Sequence, residues 1–271
     1  MTPAAKEIDT RTIADFGGQW CANPEVDGFY GSQALFADIV EPLVKVGEFA
    51  GMRVADIGSG AGRIVNMLLD AGAAHVYAVE PSKSAEVVRR NTHDRADRVT
   101  VFNVIGDKLP PDLDLDIVVS IGVLHHIVDP LPTVRAAYQA LKPGGRVLVW
   151  LYGHEGNEMY LAIFGTLRAL SKRLPDPVLN GLCRLLLPAA DLYTWLCRFL
   201  PLPLRDYVLR VFANFSRDQR RVNIYDQLNP TYARYYRRAE ALALLENAGF
   251  TECRLHHRHG YSWTVVGTKP G

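Results

Sequence analysis

The stretch Val54-Ala-Asp-Ile-Gly-Ser-Gly-Ala-Gly-Arg63 decides the fold of this chain. It predicts a short buried strand that ends in a glycine-rich turn, followed by a helix with an apolar face. Glycine has no Cβ and tolerates a positive φ, so such a turn can bring backbone amides close to a ligand. The spacing is G-x-G-x-G, whereas a dinucleotide-binding turn has G-x-G-x-x-G. Asp56 precedes the first glycine by two positions, and a carboxylate there suits an amino group or a cationic centre better than a pyrophosphate.

The length and composition suit one α/β domain with an inserted subdomain. The chain has 271 residues, 48% of them apolar and 22% charged, which excludes a disordered chain and a membrane bundle. Its net charge of +1 gives no global basic field, so we expect no nucleic-acid partner. The four cysteines form no C-x-x-C pair and are expected to be free thiols. Neither a secretion signal nor an uncharged apolar run of about 18 residues is found, which predicts a cytoplasmic protein without a transmembrane segment.

Strands and helices alternate between residues 52 and 150 with short connections. Strands rich in Val and Ile that alternate with helices predict a parallel sheet covered on both faces. Ligands of such sheets lie beyond the carboxyl ends of the strands, so the residues that follow each strand are candidate site residues. The predicted strands are Arg53–Ile57, His75–Val79, Val99–Val104, Ile117–Ile121, Arg146–Leu151, Glu252–His257 and Ser262–Thr268, and the clearest helices are Ser84–Asn91, Leu131–Ala140 and Ala239–Ala248.

Acidic residues follow the second and third predicted strands. Glu80, next to Pro81, can accept hydrogen bonds from ribose hydroxyls, a role that also fits a nicotinamide dinucleotide. Asp107 can accept from an adenine amino group, and the alternative is an ordinary turn acid. The fourth strand leads through Ile121-Gly122 into the loop Leu124-His-His-Ile127.

These pieces, in this order, resemble the class I S-adenosylmethionine-dependent methyltransferases. The resemblance rests on residues 54–63, 76–82, 105–108, 117–130 and 141–150. It implies an α/β fold with a seven-stranded Rossmann-like sheet, mostly parallel and closed by a C-terminal antiparallel hairpin, and S-adenosylmethionine as cofactor. The cofactor-binding residues it implies are Trp20, Asp56, Gly58, Ser59, Gly60, Gly62, Glu80, Pro81, Asp107, Ile121 and Gly122.

The acceptor side is predicted from the loop after the fourth strand and the end of the fifth strand, and the resemblance to bacterial methyltransferases with an inserted region adds the Tyr-Asp segment near residue 225. His125 or His126 is a candidate general base because imidazole titrates near neutral pH, but the same loop can be purely structural. The polar residues after the fifth strand form either an acceptor pocket or a solvated loop. The catalytic candidates are His125, His126 and Tyr152, and the substrate-binding candidates are Tyr30, His154, Glu155, Asn157, Tyr225, Arg234 and Tyr235, with Asp226 and Tyr236 beside them.

Three regions are predicted: an N-terminal helical cap over 1–50, a cofactor-binding core over 51–158 and 222–271, and an inserted helical lid over 159–221. Phe16 and Trp20 of the cap either pack in the core or fold over the ligand. Prolines 175, 177, 188, 201 and 203 are expected to divide the lid into short amphipathic helices. Residues 160–221 contain ten Arg or Lys and four Asp, a net charge of +6. Such a lid fits an anionic substrate, peripheral membrane contact or a homodimer, or its arginines are simply a solvated face.

The sequence favours methyl transfer from S-adenosylmethionine to a small-molecule acceptor, with oxygen on a metabolite, sugar or natural-product intermediate as the preferred target. One alternative is an amphiphilic acceptor such as a quinone or a lipid-linked intermediate. Others are a nicotinamide-dependent oxidoreductase, disfavoured by the glycine spacing and Asp56, and a non-catalytic cofactor-binding module. His256, His257 and His259 are interpreted as surface histidines, and no metal is expected.

Overall fold

The computed structural model describes residues 2–162, 176–228 and 231–271. It contains a seven-stranded sheet with the order β3-β2-β1-β4-β5-β7-β6, in which β7 runs opposite to the other six strands. This arrangement confirms the predicted parallel sheet with a closing antiparallel hairpin. The strands are β1 Arg53–Ile57, β2 His75–Val79, β3 Val99–Phe102, β4 Leu115–Ile121, β5 Leu141–Tyr152, β6 Thr251–Arg258 and β7 Ser262–Thr268.

Helices cover both faces of the sheet because the strands are apolar on both sides. One core lies between the sheet and α2, α3 and α4, and the other lies between the sheet and α5 and α9. The helices are α1 Pro3–Ala22, α2 Gln33–Val40, α3 Arg63–Asp70, α4 Ala85–Asn91, α5 Leu131–Ala140, α6 Asp176–Leu196, α7 Arg205–Arg210, α8 Arg217–Leu228 and α9 Arg238–Glu246, and residues 158–162 are also helical. None of the helices in these described ranges is long and apolar enough to cross a membrane.

The lid differs from its prediction in two places. Helix α6 continues through Pro188 instead of breaking there. Pro188 and Arg184 are both exposed, so water can satisfy the Arg184 carbonyl that proline leaves without a donor. Helix α8 crosses the predicted boundary at residue 221 because Tyr225 and Leu228 pack against α6. Of the lid predicted over 159–221, residues 163–175 lie outside the described residues.

Candidate active site

The turn between β1 and α3 presents bare backbone at the carboxyl edge of the sheet. Gly58 has φ +81°, and a Cβ at this position would lie 2.4 Å from Cγ2 of Val123. Gly60 has φ +57°, and its Cβ would lie 3.0 Å from Nε1 of Trp20. The indole of α1 therefore covers the turn at close range, which only glycine permits.

Two carboxylates line this edge in different ways. Glu80 is buried, and its two oxygens accept hydrogen bonds from the amides of Gly60 at 2.8 Å and Ser82 at 3.0 Å. Asp56 is only 1% exposed, and within the described part of the chain its Oδ2 has no hydrogen-bond partner. Burial raises the pKa of Asp56 to about 7. The Oδ2 atom of Asp56 is thus an acceptor without a donor among the described residues, whereas Glu80 already joins β2 to the glycine turn.

Asp107 also offers an acceptor at the carboxyl edge. It lies in the short turn Gly106–Lys108 after β3. Its Oδ1 is buried and, among the residues described, lacks a hydrogen-bond partner. A buried polar atom of this kind is normally satisfied, so this oxygen is available to a ligand donor.

Helix α1 closes over the carboxyl ends of the strands. A Cβ on Gly17 would come 2.6 Å from Cβ of Ser82, so the helix rests directly on the loop after β2. Farther along the edge, Asp9 accepts a hydrogen bond from the amide of Val128 at 3.0 Å. The Phe16 ring lies 4.7 Å from that of His126. These contacts place α1 as a cover over both the glycine turn and the histidine loop.

We call the part of the carboxyl edge formed by Asp56, the glycine turn, Glu80 and Asp107 the cofactor edge, and a cavity of about 240 Å³ adjoins it. Ile121, Gly122 and Trp20 belong to its wall, so it adjoins the predicted cofactor residues. The remaining wall comes from several segments, among them α1, α2, the end of β5, the lid, α8 and the hairpin. The lining aromatic residues are Phe16, Trp20, Tyr30, Trp150, Tyr152, Tyr160, Tyr207, Phe215, Tyr235 and Tyr261. The wall therefore suits a largely apolar, aromatic ligand with few polar groups.

Asp226 is the only carboxylate in this wall among the residues the structure describes. It accepts a hydrogen bond from the side-chain amide of Gln19, which joins α8 to α1. Burial raises the pKa of Asp226 to about 7, although the positive charge of Arg63 opposes the shift. A carboxyl group that titrates near neutral pH inside a cavity can accept a proton from a bound ligand.

The two histidines of the loop after β4 have different positions. His126 lines the cavity, and its Nδ1 lies 2.8 Å from the carbonyl oxygen of Tyr232. A carbonyl only accepts, so Nδ1 is assigned the hydrogen and Nε2 is the basic nitrogen of the neutral ring. His125 is fully buried outside the cavity wall, with its ring 3.9 Å from that of Tyr152.

Tyr152 lies in the cavity wall between the histidines and the lid. Its hydroxyl accepts a hydrogen bond from Gln227 at 3.1 Å, and its ring stacks on Tyr235 at 5.2 Å. Burial raises the pKa of Tyr152 well above its usual value. The phenol therefore stays protonated near neutral pH, so Tyr152 can orient a ligand but cannot act as a base.

The cavity brings together only part of the predicted acceptor residues. Tyr30, Asn157 and Tyr235 line it, whereas four candidates lie elsewhere. The His154 amide donates to the Tyr236 carbonyl, and Glu155 accepts from the amide of Arg238 at the start of α9. Arg234 pairs with Glu240 at 2.9 Å, and Tyr225 packs against α6.

The histidines of the hairpin are half-buried rather than on the surface. His259 lies 2.8 Å from Asp38, and the His257 ring stacks on Trp263 at 4.0 Å. Over residues 2–162, 176–228 and 231–271, no three His, Cys, Asp or Glu side chains group as a metal site.

Several cavity residues were not predicted as site residues. Arg63, which follows the glycine turn directly, holds its guanidinium 4.3 Å from the Tyr30 ring centroid, and its place next to the motif was an available signal. Tyr207, Phe215 and Tyr261 gave no such signal, because an aromatic residue in an amphipathic helix or a strand is usually a core residue.

Comparison with known proteins places the same region in a family. A family model described as a methyltransferase domain matches residues 55–147. The chain is 30% identical over 119 residues to the ubiquinone biosynthesis O-methyltransferase of Aromatoleum aromaticum, covering 43% of this chain and 50% of the relative. It is 34% identical over 113 residues to the tRNA U34 carboxymethyltransferase of Chromohalobacter salexigens, covering 40% of this chain and 34% of the relative. The chain thus spans half or less of the length of these curated relatives.

The fold has solved counterparts. Magnesium protoporphyrin IX methyltransferase from Synechocystis PCC 6803, solved with bound SAH, aligns with a TM-score of 0.51 at 16% identity, over 88% of this chain and 83% of that chain. At this identity the likeness shows a shared fold. Together with the methyltransferase domain matched over 55–147 and the glycine turn between β1 and α3, this shared fold supports a class I S-adenosylmethionine-dependent methyltransferase, which implies S-adenosylmethionine as cofactor.

Proposed function

We propose that this protein transfers a methyl group from S-adenosylmethionine to a hydroxyl oxygen of a small aromatic acceptor bound in the 240 Å³ cavity. One observation carries the proposal: Ile121 and Gly122, at the cofactor edge, belong to the cavity wall, and ten aromatic side chains line the same cavity. An acceptor in this space would lie next to the cofactor edge and away from bulk water.

The residues at the cofactor edge fit S-adenosylmethionine. The Asp56 carboxylate, with Oδ2 unpartnered among the described residues, suits the ammonium group of the methionine part. The Asp107 Oδ1 atom suits the adenine amino group. Glu80 already accepts two amide hydrogen bonds, but each carboxylate oxygen has a second lone pair for a ribose hydroxyl.

The bound cofactor would supply an electrophilic methyl group on a sulfonium centre, so the protein needs chiefly to position the acceptor and remove its proton. Asp226 is our first candidate for proton acceptor, since its pKa of about 7 permits the ionised form at neutral pH. His126 is the second, because it lines the same wall. Tyr152 and Gln227, hydrogen-bonded to each other at 3.1 Å, would orient the acceptor.

A second candidate acceptor is an amphiphile such as a quinol with an apolar tail. The aromatic wall favours it, and so does the relative named for ubiquinone biosynthesis, whose alignment covers 43% of this chain. The second relative, named for a tRNA substrate, matches a similar share at 40%, so the matched core alone does not select an acceptor.

Calorimetric titration followed by a transfer assay tests the proposal. The protein should bind S-adenosylmethionine and its demethylated product, and should not bind NAD. It should then transfer a radiolabelled methyl group to catechols and quinols but not to amines of similar size. Binding of NAD alone would overturn the assignment of cofactor, and transfer only to amines would overturn the assignment of oxygen.

A further inference from the structure

Helix α6 exposes an apolar face that the described residues leave uncovered. Leu185 is 75% exposed and Phe199, just beyond the helix, is 69% exposed. Seven-residue spacing brings the exposed members of α6 onto one side of the helix, and Trp195 contacts Phe199 edge to face at 5.3 Å. The large exposed apolar residues are Val178, Leu185, Leu192, Trp195, Phe199 and Leu200. So many large apolar side chains in one patch indicate a binding surface.

The charges around this face have one sign. Between residues 178 and 200 the cations are Arg184 and Arg198, and both are exposed. The single acid of this stretch, Asp191, pairs with Arg220 at 2.6 Å and therefore does not neutralise them. The patch thus combines insertable apolar side chains with two cations at its border.

We propose that this face of α6 docks on an anionic lipid surface, with the leucines and the aromatic pair in the headgroup boundary and the two arginines on lipid phosphates. An amphipathic helix with an aromatic and leucine face and basic flanks is suited to lying in the plane of a membrane interface. Indole and arginine side chains are both favoured there, since each has an apolar body and a polar end.

A second copy of the chain fits this face less well. In an antiparallel pairing centred near Leu192, Arg184 of one copy would approach Arg198 of the other, and like charges would meet. The one acid between residues 178 and 200, Asp191, is already paired with Arg220 and does not compensate for them.

Docking through α6 would also bring the acceptor cavity close to the membrane. The lipid contact itself does not depend on methyl transfer. The buried side of α6 packs through Leu179 and Cys183 on Tyr225 and Leu228 of α8. The same helix α8 supplies Asn223, Asp226 and Gln227 to the cavity wall. A membrane beneath α6 would therefore lie one helix layer from the acceptor cavity, where an amphiphilic acceptor is most concentrated.

Co-sedimentation with vesicles tests the inference. The full chain should bind vesicles of phosphatidylcholine with about a third phosphatidylglycerol and should bind pure phosphatidylcholine much less, with a loss at high salt. Leu192→Glu should weaken binding to the anionic vesicles about tenfold. The matched control is Ala74→Glu, which adds the same charge at an exposed position just before β2 and should leave vesicle binding unchanged.

Three outcomes would overturn it: no binding to either vesicle, equal binding by wild type and Leu192→Glu, or a stable dimer in sedimentation that Leu192→Glu dissociates without any vesicle binding. Unchanged affinity of each variant for S-adenosylmethionine shows that it is folded. Vesicle binding without methyl transfer to any acceptor would refute only the proposed function, so the two proposals fail separately.

Discussion

The cofactor edge and the acceptor cavity are adjacent but are built in opposite ways. At the cofactor edge, residues from one continuous region of the sequence meet through backbone groups. The Gly60 amide, for example, donates a hydrogen bond to the Glu80 carboxylate at 2.8 Å. In the cavity, side chains converge from distant segments, such as Gln19 of α1 on Asp226 of α8. The first depends on the parallel sheet and the second on how α1 and the lid pack against it. Substitutions that alter the backbone conformation should therefore impair the cofactor edge, and substitutions that remove a side chain should impair the acceptor cavity.

The largest effect is expected from Gly58→Ala. The new Cβ would lie 2.4 Å from Val123 Cγ2, at a φ of +81° that L residues avoid. We expect affinity for S-adenosylmethionine to fall at least about 100-fold, since strain and steric overlap together cost several kcal/mol. Calorimetry measures this. The control Gly144→Ala has a similar φ of +76° with nothing within 4 Å of its Cβ, so it should leave cofactor affinity unchanged. An equal loss in both variants would mean that backbone strain alone, not the close approach, is responsible.

Asp226→Asn should affect the acceptor cavity and leave the cofactor edge intact. Removing a general base typically lowers turnover about 100-fold or more, while cofactor affinity should be unchanged. Wild-type turnover should rise with pH through about 7, because only the ionised carboxylate accepts a proton, and the variant should lose this rise. The matched control is Asp218→Asn on the same helix, whose side chain is 95% exposed. If Asp226→Asn keeps both the turnover and the pH profile of the wild type, Asp226 is not the base, and His126 becomes the candidate.

The fold and the cofactor edge were largely predictable from the sequence. Local patterns determine both, since glycine spacing fixes the turn and the residue after each strand reaches the same edge. The predicted strands agree with the structure to within a few residues, with β5 starting earlier, at Leu141, because Leu141 pairs with Leu115 across a register shift. Glu80 and Asp56 could be located for the same reason.

The cavity was predictable only in part, because its members are set by long-range packing. Tyr207 and Phe215 looked like core positions of amphipathic helices, and only the position of the lid turns them toward a cavity. Arg234 and Glu155 looked like pocket residues, but their partners are Glu240 and the backbone of Arg238. A single sequence also does not separate His125 from His126, since adjacent residues differ only in which side of the loop they face.

Trp20→Ala tests where the two regions meet and should have a moderate effect. The indole covers Gly60 and also lines the cavity, so its loss would expose the cofactor edge to water. We expect about a tenfold loss of S-adenosylmethionine affinity, as for one buried aromatic contact. Trp195→Ala removes the same side chain from the exposed face of α6 and should leave this affinity unchanged. Equal affinity of Trp20→Ala and wild type would show that α1 is not part of the cofactor site.

The smallest effect is expected in the pH dependence of stability without cofactor. Asp56 has a pKa of about 7 in the folded protein, above the value near 4 of an unfolded chain, so the folded state holds the extra proton between these values. Stability should therefore fall as pH rises from about 5 to 7, and Asp56→Asn should reduce this fall without removing it, because Asp226 also has a pKa of about 7 and contributes to it. Denaturant unfolding at several pH values measures it, with the exposed Asp218→Asn as control. Added S-adenosylmethionine should flatten the wild-type curve in the same way, because an ammonium group on the Asp56 carboxylate stabilises its ionised form. If the cofactor binds and the wild-type slope persists, its amino group lies elsewhere, and the edge defined by the glycine turn holds the ligand through backbone groups alone.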